Sequence, residues 1–126
     1  MRKIYTTDLA SVSGPYSHAV DAGDFVYVSG QTARNANGEG KFAESITDQT
    51  HECFNLLFDI LKEANLTPDD VVKVNVFLTS MEHFNEMNEV YQERFSAPYP
   101  ARTCVAVLEL PLGADVEIEV VAKKFK

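Results

Sequence analysis

An arginine stands where an apolar strand should begin. Arg102 follows Pro100-Ala101 and precedes Thr103-Cys104-Val105-Ala106-Val107-Leu108. A guanidinium in apolar surroundings costs free energy unless something pairs with it. Two readings are open. Its planar fork can grip the carboxylate of a small ligand through two parallel hydrogen bonds. Alternatively it pairs with Glu109, Glu117 or Glu119, or turns to solvent at the strand end. A second pattern is Val116-Glu117-Ile118-Glu119-Val120. Strand alternation puts both glutamates on one face and the aliphatic residues on the other. Beside a bound substrate such a carboxylate positions water and carries protons. On a bare strand face it is simply solvated. Alternation does not choose between Glu117 and Glu119.

Gly14-Pro15 is a turn that fixes where Tyr16 enters its strand, and a phenol there can donate to a ligand. Ser17 and His18 suggest a nucleophile and its base. Neighbours on a strand point to opposite faces, however, and the chain has no GxSxG elbow. Ser29-Gly30-Gln31 ends a strand with a glycine that permits close backbone approach to a ligand. Asn88 interrupts an apolar helical stripe and implies a buried hydrogen bond. His51 and His83 have no ligand spacing around them, so no metal site is expected. Cys53 and Cys104 lack CxxC spacing and read as small hydrophobes.

These side chains need a frame. The runs Tyr16–Val20 and Phe25–Ser29 flank the turn Asp21-Ala22-Gly23-Asp24 and read as a hairpin. Asparagines and glycines from Arg34 to Gly40 mark a further turn region. Ile46, Thr50, Cys53, Phe54, Leu57, Ile60, Leu61 and Ala64 keep the rhythm of one buried helix face. Ser45 or Thr47 can cap that helix, and Asn65 sits where a left-handed residue often ends one. Thr67-Pro68-Asp69-Asp70 makes a capped turn into a strand, Val71–Thr79. Its Val72, Val74, Val76 and Leu78 alternate with Lys73, Asn75, Phe77 and Thr79. Thr79-x-x-Glu82 has the form of a capping box. A second helical stripe follows at Phe84, Met87, Asn88, Tyr91 and Phe95, stopped by Pro98 and Pro100. Two last strands, Arg102–Leu110 and Val116–Lys123, flank Pro111-Leu112-Gly113-Ala114.

The order predicts an α+β fold: a mixed sheet with two helices packed on one face. The runs Arg102–Leu110 and Phe25–Val28 are apolar on both sides, so both sheet faces need cover. Two helices cover one. The other is expected to meet further copies of the chain, unless the sheet curls on itself.

With 126 residues the chain has the size of one domain, spanning 1–126. Nineteen acidic against eleven basic residues give a net charge of −8. Such a surface repels phosphate backbones and anionic lipid, so neither a nucleic-acid nor a membrane partner is expected. Lys123, Lys124 and Lys126 read as a solvated terminus. No apolar run suggests a signal peptide or a membrane span, and a cytoplasmic location is the expectation.

Taken in order, five segments resemble the RidA (YjgF) family over nearly the whole chain. They are Gly14-Pro15-Tyr16-Ser17, Val28-Ser29-Gly30-Gln31, Asn88-x-x-Tyr91, Pro100-Ala101-Arg102-Thr103-Cys104-Val105 and Val116-Glu117-Ile118-Glu119. The last two are the specific part, and the arginine marks the deaminase-type branch. The resemblance implies a chorismate-mutase-like fold and a homotrimer with a barrel-like core and active sites between subunits. It implies cofactor-free hydrolysis of reactive 2-imino and enamine acids, such as 2-iminopropanoate and 2-iminobutanoate, to 2-keto acids and ammonia. Those imines leak from pyridoxal-phosphate enzymes, which the reaction protects. The resemblance also makes Arg102 the carboxylate anchor. Glu117, with the Cys104 backbone carbonyl, would orient water. Tyr16, Ser29, Gly30 and Asn88 would line the pocket. Orienting water against an activated imine needs no covalent nucleophile, so Cys104 is a positional residue. Two other classes compete: a regulatory trimer that binds small carboxylates without turnover, and the nucleases or translation inhibitors described among relatives. The acidic composition argues against the last.

Overall fold

Period-two and period-3.6 patterns resolve into eight elements in a computed structural model that describes residues 2–8, 14–33 and 45–125. They are β1 (Lys3–Tyr5), β2 (Ala19–Asp21), β3 (Phe25–Gln31), α1 (Ile46–Glu63), β4 (Val71–Leu78), α2 (Phe84–Arg94), β5 (Ala101–Ala106) and β6 (Val116–Lys123). The strands form one sheet in the order β1-β2-β3-β6-β4-β5. All pairs are antiparallel except β4–β5, which is parallel. The last strand therefore lies inside the sheet, between β3 and β4.

One face is closed by the helices. Alternation sends Val74, Val76 and Leu78 of β4, and Val116, Ile118, Val120 and Ala122 of β6, to that side. There they bury against Cys53, Phe54, Leu57, Ile60 and Leu61 of α1. Burying each large aliphatic or aromatic side chain contributes about 1.5–3 kcal/mol. α1 starts at Ser45, whose hydroxyl accepts the Asp48 amide at 3.0 Å, and is followed by Asn65 at φ 59°. α2 adds Met87, Val90 and Tyr91 to the core. The rings of Phe54, Phe58, Tyr91 and Phe95 join the two helices.

Several boundaries differ from expectation. The first hairpin strand is Ala19–Asp21, because Tyr16 is held in a turn by its amide bonding to the Gly14 carbonyl at 2.8 Å. A register shift between Val71 and Lys73 sends Val71, not Val72, to the core. The capping residue is Ser80, whose hydroxyl accepts the Glu82 amide and starts a 3-10 turn, Met81–His83, that leads into α2. Thr79 is engaged elsewhere, donating to Asp115 Oδ1 at 2.9 Å. β5 ends at Ala106, and Leu108 is fully exposed. β1 escaped notice because three residues carry no readable alternation. The Arg34–Gly40 turn region lies outside the described residues.

The second face carries Tyr27, Asn75, Phe77, Glu117 and Glu119, with Ala101, Thr103 and Val105 in register beside them. No described helix covers it. Tyr27 is 52% exposed and Val105 41%. β1 and β5 remain edges, so the described sheet does not close on itself.

Candidate functional site

Arg102 opens β5 and, paired with Val74, points to the helix face. None of the glutamates named for it is its partner. Its Nη1 donates to Asn88 Oδ1 at 2.7 Å. Its guanidinium lies 4.6 Å from the Tyr91 ring centroid and 5.5 Å from that of Phe84. It opens onto a pocket of about 430 Å³ lined by Asn88, Tyr91, Gln92, Tyr99, Pro100 and Arg102. The buried hydrogen bond expected at Asn88 is therefore a bond to Arg102. Cys104 is two residues along the same face, half-buried against the core. Burial pushes its thiol up, with the Arg102 charge opposing, so the thiolate is disfavoured.

Glu117 is a different environment. It lies on the uncovered face opposite Phe77. Glu119, on the same face, accepts the Asn75 side-chain amide at 3.1 Å. Glu117 gains no hydrogen bond among the described residues. Burial, and then the neighbouring Glu119 charge, push its carboxyl above the ordinary value. Beside it the chain of β3 bulges between Val28 and Gln31. A Cβ placed on Gly30 would meet Glu117 Cδ at 3.0 Å and Oε1 at 3.1 Å. Any side chain there presses on the carboxylate, which must shift to make room.

Ser29 sits in the bulge, next to Gly30. The Ser29 hydroxyl donates to the Ser17 carbonyl at 2.6 Å and its amide to the His18 carbonyl at 2.8 Å. These bonds tie the Tyr16–Ser17 segment to the bulge, and Tyr16 is 43% exposed there. His18 is buried, its Nδ1 accepting the Thr7 amide at 3.2 Å, so it is no base for Ser17.

The named residues thus fall into two groups on opposite faces of the sheet. Arg102, Asn88 and Cys104 lie on the helix face at the β5 edge. Glu117 and Gly30 meet at the other face, between β6 and β3, with Ser29 next in the chain and bonded to Ser17, the neighbour of Tyr16. β4 intervenes between β5 and β6, which sets the backbones roughly 10 Å apart at ordinary strand spacing. Gln92 and Tyr99, which line the Arg102 pocket, had no role assigned from sequence. Phe84, against the guanidinium, and Tyr91 stood in the helical stripe, and Tyr91 also in the Asn88-x-x-Tyr91 segment. Among the described residues no cluster of His, Cys, Asp and Glu has metal-site geometry.

The chain is a mixed six-stranded α+β sheet carrying a pocket that Arg102 lines. The family model for endoribonuclease L-PSP matches residues 6–124, and the chain belongs to that family, the YjgF/RidA family. A relative from Dermatophagoides farinae named 2-iminobutanoate/2-iminopropanoate deaminase is 39% identical, covering 94% of this chain and 93% of the relative. The crystal structure of RidA from an Antarctic Psychrobacter superposes with a TM-score of 0.91 at 37% identity, over 97% of this chain and 99% of that one. E. coli TdcF, solved with bound serine, gives 0.89 at 33% identity, over 97% and 98%. No helix among the described residues is long and apolar enough to cross a membrane.

Proposed function

We propose that the chain is a 2-imino acid deaminase, hydrolysing 2-iminobutanoate and 2-iminopropanoate to the 2-keto acids and ammonia. The observation that carries this reading is Arg102: a half-buried guanidinium at a pocket, held by Asn88 with no carboxylate partner among the described residues. The name of the 39% identical relative and the serine bound to TdcF support a small amino-acid-like ligand.

Arg102 takes the α-carboxylate. Glu117, with the Cys104 backbone carbonyl, holds a water against the C=N carbon. Water adds to that carbon while the nitrogen gains a proton. Collapse of the resulting carbinolamine expels ammonia and leaves the carbonyl. Burial raises the Glu117 carboxyl above its ordinary value, the direction that favours its holding and passing a proton. Since Arg102 and Glu117 face opposite sides of one sheet, a complete site takes Arg102 from one copy and Glu117, Gly30, Ser29 and Tyr16 from another. A homotrimer that seats the β5 edge of one copy, with its Arg102 pocket, against the uncovered face of the next supplies that arrangement. The reaction requires no cofactor. Two unpaired cysteines fit a reducing compartment such as the cytoplasm. The substrates are those released by pyridoxal-phosphate enzymes, which the activity protects.

The test is Arg102→Ala with imine generated in situ from threonine. Keto-acid release is expected to fall about a hundredfold with the oligomer intact. Full activity defeats the assignment. Saturable binding of 2-ketobutyrate without rate acceleration in the parent protein instead marks a regulatory trimer.

A further inference from the structure

Among the described residues, Arg102 is a cation held by neutral groups alone. Its hydrogen bond goes to an amide oxygen, and its other contacts are two ring faces. Phe84, Asn88 and Tyr91 lie at i, i+4 and i+7 on α2, so one helix stripe supplies all three. The Tyr91 ring is wedged from behind, 5.9 Å from the Phe54 centroid and 4.9 Å from that of Phe95. Its hydroxyl is buried and gains no hydrogen bond among the described residues, so the ring face is what Tyr91 offers Arg102.

We propose that the Phe84–Asn88–Tyr91 stripe is a neutral cradle that preorganises Arg102 for an anionic ligand, with the Tyr91 ring as its main positioning surface. The inference rests on Arg102 being the carboxylate anchor. A glutamate or aspartate would hold the guanidinium as firmly, but it would cancel the charge that the ligand needs. An amide oxygen and π faces hold it and leave that charge uncancelled. Asn88 occupies one of five guanidinium donors, leaving others for a bidentate grip. Ordering the arginine beforehand removes an entropy cost from binding.

Two measurements test this. The first is the Arg102 Nε–H signal in ¹⁵N NMR of the ligand-free protein, which reports side-chain order. The second is the Kd for 2-ketobutyrate. Tyr91→Leu is expected to abolish the ordered signal and raise the Kd about tenfold. Tyr91→Phe is expected to rescue both, since the ring face remains. Asn88→Asp keeps Arg102 ordered yet weakens ketobutyrate, because the new carboxylate neutralises it. An Arg102 signal unchanged by Tyr91→Leu overturns the cradle, as does Asn88→Asp binding as tightly as the parent. Should Tyr91→Leu fail to fold, Phe84→Leu makes the same NMR test at the rim. The NMR arm needs no ligand. A protein with an ordered, Tyr91-dependent Arg102 that binds no keto acid refutes the anchor and leaves the cradle standing.

Discussion

Glu117 is the residue whose chemistry depends most on its surroundings. Burial and the Glu119 charge raise its carboxyl above the ordinary 4.5. A carboxyl raised in the folded chain keeps its proton where the unfolded chain has lost it. The folded state then binds more protons, so this group lowers stability as pH climbs from 4.5 through the folded value. Glu117→Gln removes the charge and its cost. The variant is expected to melt above the parent protein at pH 8, with the gap closing at pH 4, as followed by circular dichroism. A lower melting temperature at pH 8 shows instead that the carboxylate is stabilised. Turnover of iminobutanoate in the same variant is expected to drop by about two orders of magnitude or more. The two glutamates were indistinguishable by alternation. Asn75, 44 residues away in sequence, separates them by engaging Glu119 and not Glu117.

At the scale of the element, the bulge in β3 decides whether Glu117 is accessible to the strand beside it. Gly30 sits where a side chain would strike the carboxylate at 3.0 Å. The obstructed atoms are the far end of a flexible side chain, which yields by swinging away. Gly30→Ala is therefore expected to cost little stability while displacing the Glu117 carboxylate. A melting temperature within a few degrees of the parent, with turnover reduced about tenfold or more, is the expected pair of results. Unchanged turnover removes Gly30 from the site. Sequence marked this strand end as a place for close approach. It did not show that the approaching group is the chain's own glutamate, because a bulge depends on the partner strand.

At the scale of the molecule, the sheet is half covered. α1 and α2 close one face, while Tyr27 and Val105 stand exposed on the other. Apolar strand surface of this kind is stable when it meets a partner. The proposed partner is a second copy, which also brings Glu117 toward a neighbour's Arg102. Val105→Lys puts a charge into that contact. Sedimentation is expected to show dissociation toward monomers, and turnover is expected to vanish with the oligomer. A fully active monomer would falsify the shared site.

The amino-acid sequence by itself determined the local features. Alternation assigned the faces of β4 and β6, a 3.6-residue rhythm assigned α1 and α2, and Asn65 and Thr67–Asp70 fixed two element ends. Such features depend on neighbours a few residues away, so they are legible in one dimension. It also supplied the chemical types at Arg102, Glu117 and Gly30, and their resemblance to a family. Tertiary structure alone decided the strand order that puts β6 between β3 and β4. It decided that Asn88, rather than any glutamate, holds Arg102, and that Arg102 and Glu117 face opposite sides of the sheet. Those outcomes follow from burying one core across the chain, where strands distant in sequence become neighbours, and no local pattern encodes which ones.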